Sequence, residues 1–182
     1  MKKVLLIGDS IRMGYNDVVC RMLEGRAEVW GPEENCCFAK YTLWYINEWI
    51  EAFGKPDIIH WNNGIWDITV PVGETEVFTP IDEYVNYMKR VYAEMKKTGA
   101  VIIFATTTPV KPECPQQSTD RIDRYNKRIL EELSCEDILI NDLYSFVLAN
   151  LDEYIGEDFL HMSEYGQEKT GEQVAGFISN LL

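Results

Sequence analysis

The stretch Lys3-Val4-Leu5-Leu6-Ile7-Gly8-Asp9-Ser10 decides the fold. Four consecutive aliphatics, Val4 to Ile7, read as a strand buried on both faces, which is the pattern of a parallel sheet. Gly8 permits a sharp turn of the backbone, so Ser10 is expected at the carboxyl end of the first strand, where open α/β sheets hold their ligands. A Ser in that position is a candidate nucleophile, and equally the N-cap of the helix that follows. The stretch alone does not separate the two.

A serine hydroxyl is a poor nucleophile at neutral pH unless an imidazole takes its proton and a carboxylate fixes the imidazole tautomer. Near the other end of the chain, Glu157-Asp158-Phe159-Leu160-His161 offers both groups three residues apart. The sequence holds two histidines, His60 and His161, so the choice of base is narrow. Spacing leaves two readings of His161: the base of a hydrolytic site, or a surface histidine just before a helix capped by Ser163.

Gly8-Asp9-Ser10 near the amino terminus and Asp158-x-x-His161 near the carboxyl terminus together resemble the motifs of the SGNH/GDSL hydrolases, a family of esterases and lipases. The resemblance spans nearly the whole chain through its two end motifs. It implies an α/β fold: a three-layer α/β/α sandwich around a five-stranded parallel sheet, flavodoxin-like, in strand order 2-1-3-4-5. It also implies Ser10 as nucleophile, His161 as base and Asp158 as the residue that orients the base, with no cofactor; with two histidines and no Cys-x-x-Cys pair, no metal site is expected either. The Ser is not in the Gly-x-Ser-x-Gly elbow of the α/β-hydrolases.

With 182 residues and 46% hydrophobic composition, the chain can bury one substantial core, and a single domain over 1–182 is expected. A net charge of −13 argues against binding a phosphate backbone, so nucleic acid is not an expected partner. No apolar stretch is long enough to span a bilayer, and the apolar run after Met1-Lys2-Lys3 is too short for a signal-peptide core. Five cysteines, two of them adjacent at Cys36 and Cys37, do not suggest a disulfide framework. Reduced thiols and a cytoplasmic location are expected.

Along the chain, apolar periodicity alternates between the two types of element. Strands are expected at Arg26–Trp30, Pro56–Asn62, Ala100–Thr106 and Asp137–Asn141, after the first. Helices are expected over Ile11–Gly25, Tyr41–Phe53, a segment opened by Thr79 as N-cap with Pro80 at its first position, Asp120–Ser134, Leu143–Ala149 and a last one opened by Ser163. Such alternation gives a parallel sheet covered by helices on both faces. Ile65 to Pro80 shows no period and follows the third strand directly, so it is expected to form a wall or lid of the site.

Acyl transfer needs donors fixed where the oxyanion develops. The resemblance implies three: the backbone N–H of Ser10, a backbone N–H in the loop after the second strand, and an Asn side chain in a Gly-x-Asn-Asp motif after the third strand. The second position carries no Gly; matching Tyr41-Thr42 to the sugar-acetylesterase members puts Asn35 there, with Cys36 next. At the third, Gly64-Ile65-Trp66-Asp67 matches by spacing with Trp in place of Asn, while Asn62 and Asn63 come just before the Gly. Among Asn63, Asn62 and Trp66, the expected side-chain donor is Asn63, with the other Asn facing away because side chains alternate along a strand. Trp66 and Asp67 are expected to touch substrate. The expected activity is hydrolysis of a small acyl ester, acetyl in the first instance, on a small-molecule or carbohydrate alcohol. The alternatives are a lysophospholipase or thioesterase on the same triad, and a non-catalytic flavodoxin-like binding domain.

Overall fold

The computed structural model describes residues 1–182. Five strands, β1 (Lys2–Ile7), β2 (Ala27–Trp30), β3 (Ile58–Trp61), β4 (Val101–Ala105) and β5 (Leu139–Asn141), form one parallel sheet in the order β2-β1-β3-β4-β5. The helices are α1 (Ser10–Met22), α2 (Ala39–Phe53), α3 (Ile81–Lys96), α4 (Thr119–Leu133), α5 (Leu143–Leu148), α6 (Leu151–Tyr154) and α7 (Glu164–Ser179). The sandwich agrees with the sequence reading, and the strand order with the one the resemblance implies.

Strand residues divide by parity, as a sheet buried on both faces requires. Leu5, Ile7, Ile59, Trp61, Ile102 and Phe104 pack against α2, α3 and α4. Val4, Leu6, Ile58, Ile103 and Ala105 pack against α1, α5 and α7. The register pairs Ile7 with Trp61 and Trp61 with Phe104, so the three central strands end level with one another. Gly8-Asp9-Ser10, Asn62-Asn63-Gly64 and Thr106-Thr107-Thr108 therefore leave the sheet along one edge.

Two local expectations change. Gly8 is not required by a left-handed backbone; it is required by close approach, since a Cβ there would lie 2.0 Å from Asn62 Oδ1 and 2.7 Å from Arg12 Cβ. Helix α3 begins one residue later than its sequence suggests, with Pro80 as N-cap and no side-chain cap. Thr79 is drawn out of the helix because its N–H donates to Asp67 O (2.9 Å) and its carbonyl accepts from Tyr125 Oη (2.8 Å). The acidic stretch before Asp158 contains the single turn α6, and Ser163 caps α7 by accepting from Gly166 N–H. No helix is long and apolar enough to cross a membrane.

Candidate active site

Ser10 is the first residue of α1, and Asp9 caps that helix by accepting from Ile11 N–H (3.0 Å). The Ser10 N–H, as one of the first amides of a helix, has no intrahelical acceptor and stands at the positive end of the macrodipole. Asp9 is fully buried; burial pushes its carboxyl up to about 6, against the opposing hydrogen bonds from Ile11 and Asn62 and the charge of Arg12.

His161 Nε2 lies 2.9 Å from Ser10 Oγ, and His161 Nδ1 lies 2.6 Å from Asp158 Oδ2. The segment carrying both residues is braced. Gly156 N–H donates to His161 O (2.8 Å), Ser163 N–H to Tyr154 O (2.8 Å) and Lys111 N–H to Phe159 O (2.9 Å). Asp158 Oδ1 accepts from the N–H groups of Leu160 (3.0 Å) and His161 (2.9 Å), leaving Oδ2 for the imidazole. Partial burial raises the Asp158 carboxyl, but hydrogen bonds from the His161 ring and the two backbone amides outweigh it, and the carboxyl ends below its ordinary range. An ionised Asp158 has only acceptors, so the proton between it and His161 sits on Nδ1 and leaves Nε2 to accept from Ser10 Oγ–H.

Ser10 and His161 open onto a cavity of about 620 Å³. The segment after β3 forms one wall through Ile65, Trp66, Thr69, Pro71, Val72 and Phe78, as expected of a long aperiodic loop in that position. Asn35 and Phe38 come from the loop between β2 and α2, Gln116 and Gln117 from the loop after β4, and Leu160 from the His161 segment. The sequence reading missed Phe38, Gln116, Gln117 and Leu160. For the two glutamines a signal existed: the β4–α4 loop leaves the same sheet edge as Ser10.

The structure thus brings Ser10, Asn35, Trp66, Asp158 and His161 together and keeps three other candidates apart. Asn63 is fully buried and does not line the cavity. Its Nδ2 donates to Cys37 O (2.9 Å) and its Oδ1 accepts from Trp61 Nε1 (2.7 Å), so the carboxamide ties the β2–α2 loop to the strand end. The choice of Asn63 as side-chain donor is corrected on that geometry. Asn62 does face the other way, as alternation requires, but its Nδ2 donates to Asp9 Oδ1 (3.3 Å) and its Oδ1 accepts from Tyr15 Oη (3.4 Å). It supports the cap of α1 from below.

Asp67 is likewise not a substrate contact: it is fully buried, and its Oδ2 accepts from Ala39 N–H (2.9 Å) at the start of α2. Its other oxygen has no partner, and burial raises the carboxyl to about 7 despite the bond from Ala39. A raised carboxyl favours the protonated folded state. Its contribution to stability is fully present below pH 3.8 and is lost as pH rises through about 7. Asp67→Asn is expected to flatten part of the loss in thermal stability between about pH 4 and 7, by an amount on the order of a few kcal/mol at most. Melts of both proteins across that range check it; parallel curves would mean that Asp67 does not titrate there.

No family model and no curated protein matches the sequence. Solved structures do match its fold. The chain is similar to a lipase/acylhydrolase from Enterococcus faecalis (TM-score 0.85, 21% identity, covering 100% of this chain and 97% of that one). It is also similar to Axe2, an acetylxylan esterase from Geobacillus stearothermophilus (TM-score 0.76, 20% identity, 97% and 94% covered). A third likeness is to a GDSL-like lipase from Bacteroides thetaiotaomicron (TM-score 0.75, 16% identity, 100% and 89% covered). At these identities the likeness establishes that the chain shares the fold of these three structures over essentially its whole length.

Proposed function

We propose that the protein is a serine esterase that removes a small acyl group from an alcohol, with a carbohydrate as the leaving alcohol. The observation that carries this reading is the unbroken hydrogen-bond relay from Ser10 Oγ through His161 to Asp158, opening onto a cavity. Ser10 Oγ attacks the acyl carbon while its proton passes to His161 Nε2, and the imidazolium formed is held by Asp158. His161 then protonates the departing alkoxide. Water, deprotonated by the same imidazole, releases the acyl group from Ser10.

For the oxyanion, the Ser10 N–H and the Asn35 N–H are two donors. Neither donates to another protein group, whereas the Cys36 N–H is taken by Gly8 O (3.2 Å). The third donor is the Trp66 indole, which lines the cavity at the position matched by spacing and has no hydrogen-bond partner in the protein. Trp66→Phe is expected to lower kcat by about 10²-fold with little change in KM. Asn63→Ala is expected instead to lower the melting temperature, because it leaves Cys37 O and Trp61 Nε1 without their partner at a cost of about 1–3 kcal/mol each. A large loss of kcat in folded Asn63→Ala with none in Trp66→Phe would reverse this assignment.

A cavity of about 620 Å³ exceeds what an acetyl group fills, so most of it is available to the alcohol. Its lining mixes aromatic faces with Asn35, Thr69, Gln116 and Gln117, which suits a ring with apolar faces and hydroxylated edges. Beyond the Phe38–Phe78 pair, whose ring centroids are 4.9 Å apart, a second hollow of about 430 Å³ continues past Lys40, Tyr41, Trp44, Glu83 and Tyr87. The aliphatic stretch Ile65, Val72 and Leu160 favours a second reading, a longer acyl chain as in a lysophospholipase or thioesterase. A fluorophosphonate probe tests the nucleophile: labelling of the wild type and not of Ser10→Ala supports it, and no labelling of either favours a binding domain. Rates on p-nitrophenyl acetate, butyrate and octanoate separate the two acyl readings, with a fall along that series expected here.

A further inference from the structure

Arg12, two residues beyond Ser10 on α1, is 2% exposed and forms no salt bridge. Its Nη2 donates to Glu34 O (3.0 Å), its Nη1 to Asn16 Oδ1 (3.3 Å), and its Nε has no partner. Its charge acts on the buried Asp9 carboxyl without a direct ion pair, and burying a cation that no carboxylate contacts is costly. Two glycines make room for it: a Cβ on Gly8 would fall 2.7 Å from Arg12 Cβ, and one on Gly31 would fall 3.2 Å from Arg12 Nη1. A surface lysine or a neutral side chain would hold a loop without that cost.

The carbonyl that Arg12 holds belongs to the peptide unit joining Glu34 to Asn35. In a trans peptide the C=O and N–H point in opposite directions, so fixing the oxygen against the buried guanidinium turns the Asn35 N–H away from Arg12, and Asn35 lines the cavity with Ser10. A cation on the oxygen also polarises the amide, which makes the N–H a stronger donor. Flanking bonds fix the rest of the turn: Cys36 N–H to Gly8 O (3.2 Å) and Cys37 N–H to Asn35 Oδ1 (2.8 Å). The Asn35 N–H itself donates to no protein acceptor.

We propose that Arg12 is a positioning residue for the reaction, orienting and polarising the Glu34–Asn35 peptide so that its N–H meets the oxyanion. The inference rests on the esterase reading, and its effect falls on the transition state rather than on ground-state binding.

The test compares Arg12→Met, Arg12→Gln and Arg12→Lys with wild type in kcat, KM, and affinity for a trifluoromethyl ketone that forms a tetrahedral adduct on serine. Arg12→Met is expected to lose about 10- to 10²-fold in kcat with KM near wild type, and to weaken the ketone by a similar factor. Arg12→Lys, which keeps a cation within reach of the carbonyl, is expected to recover at least tenfold of a hundredfold loss, with Arg12→Gln between. Thermal melts identify any variant that fails to fold, and the remaining variants then carry the comparison. Folded variants with wild-type kcat, or a loss of kcat that leaves the ketone affinity unchanged, would overturn the role of Arg12. A wild-type protein that fluorophosphonate does not label would overturn the esterase reading, and this inference with it; labelling of wild type together with unaffected Arg12 variants would overturn this inference alone.

Discussion

Ser10→Ala and His161→Ala are each expected to lower kcat on p-nitrophenyl acetate by roughly 10³-fold or more, and the double variant is expected to fall little further than either single one. The reason is geometric. His161 Nε2 is 2.9 Å from Ser10 Oγ, and in the proposed mechanism each group serves the reaction only through the other. Once the hydroxyl is gone the imidazole has no proton to accept from it. Once the imidazole is gone the hydroxyl stays protonated. What would survive in both cases is the cavity and the backbone donors, which are expected to retain modest catalysis of their own. The measurement is a double-mutant cycle on kcat, with melts to show that all four proteins are folded. Losses that multiply would mean that the two residues act in separate steps, and the relay would then be a structural contact.

Different parts of this site were legible to different degrees. Val4-Leu5-Leu6-Ile7 announces a central strand because a strand buried on both faces must be apolar at every position, and Ala100 to Thr106 does the same for β4. The end motifs around Ser10 and His161 are legible because the chemistry demands particular residue types within short segments. The oxyanion donors are not, because their identity depends on which groups distant backbone has already claimed. Asn63 is the nearer carboxamide to the turn, yet Cys37 O, 26 residues upstream, takes its Nδ2. Asp67 reads as a polar residue facing substrate until the start of α2 is seen to use it as an acceptor for Ala39 N–H. Arg12 gives no local signal at all: on a helical wheel it is an ordinary polar residue. Its burial follows only from the gap that Gly8 and Gly31 leave beneath the β2–α2 loop, a gap between segments that no single stretch of sequence reveals.

The second large effect is expected from Asp158→Asn, and the structure gives it a specific cause. Asp158 Oδ1 accepts two backbone amides, those of Leu160 and His161, while Oδ2 faces His161 Nδ1 at 2.6 Å. An asparagine has one oxygen and one amide nitrogen. The two backbone donors claim the oxygen, so the side-chain NH₂ is turned toward Nδ1 and donates to it. Nδ1 must then be the unprotonated nitrogen, which puts the ring proton on Nε2 and removes the acceptor that Ser10 needs. The loop keeps its turn, because its acceptor is intact, and the fold is expected to melt near the wild-type temperature. Turnover is expected to fall by about 10⁴-fold, the scale set by a wrong tautomer rather than by a weakened charge. Nitrogen chemical shifts of the imidazoles read the tautomer directly, and the spectrum is simple because the chain has two histidines and the other is distinct. His60 is fully buried beside Asn141, and desolvation lowers it to about 3, so it stays neutral throughout the working range. A variant with wild-type turnover would show that another group orients His161. A variant that is inactive but retains the Nδ1 proton would trace the loss to the missing negative charge and leave the tautomer out of it.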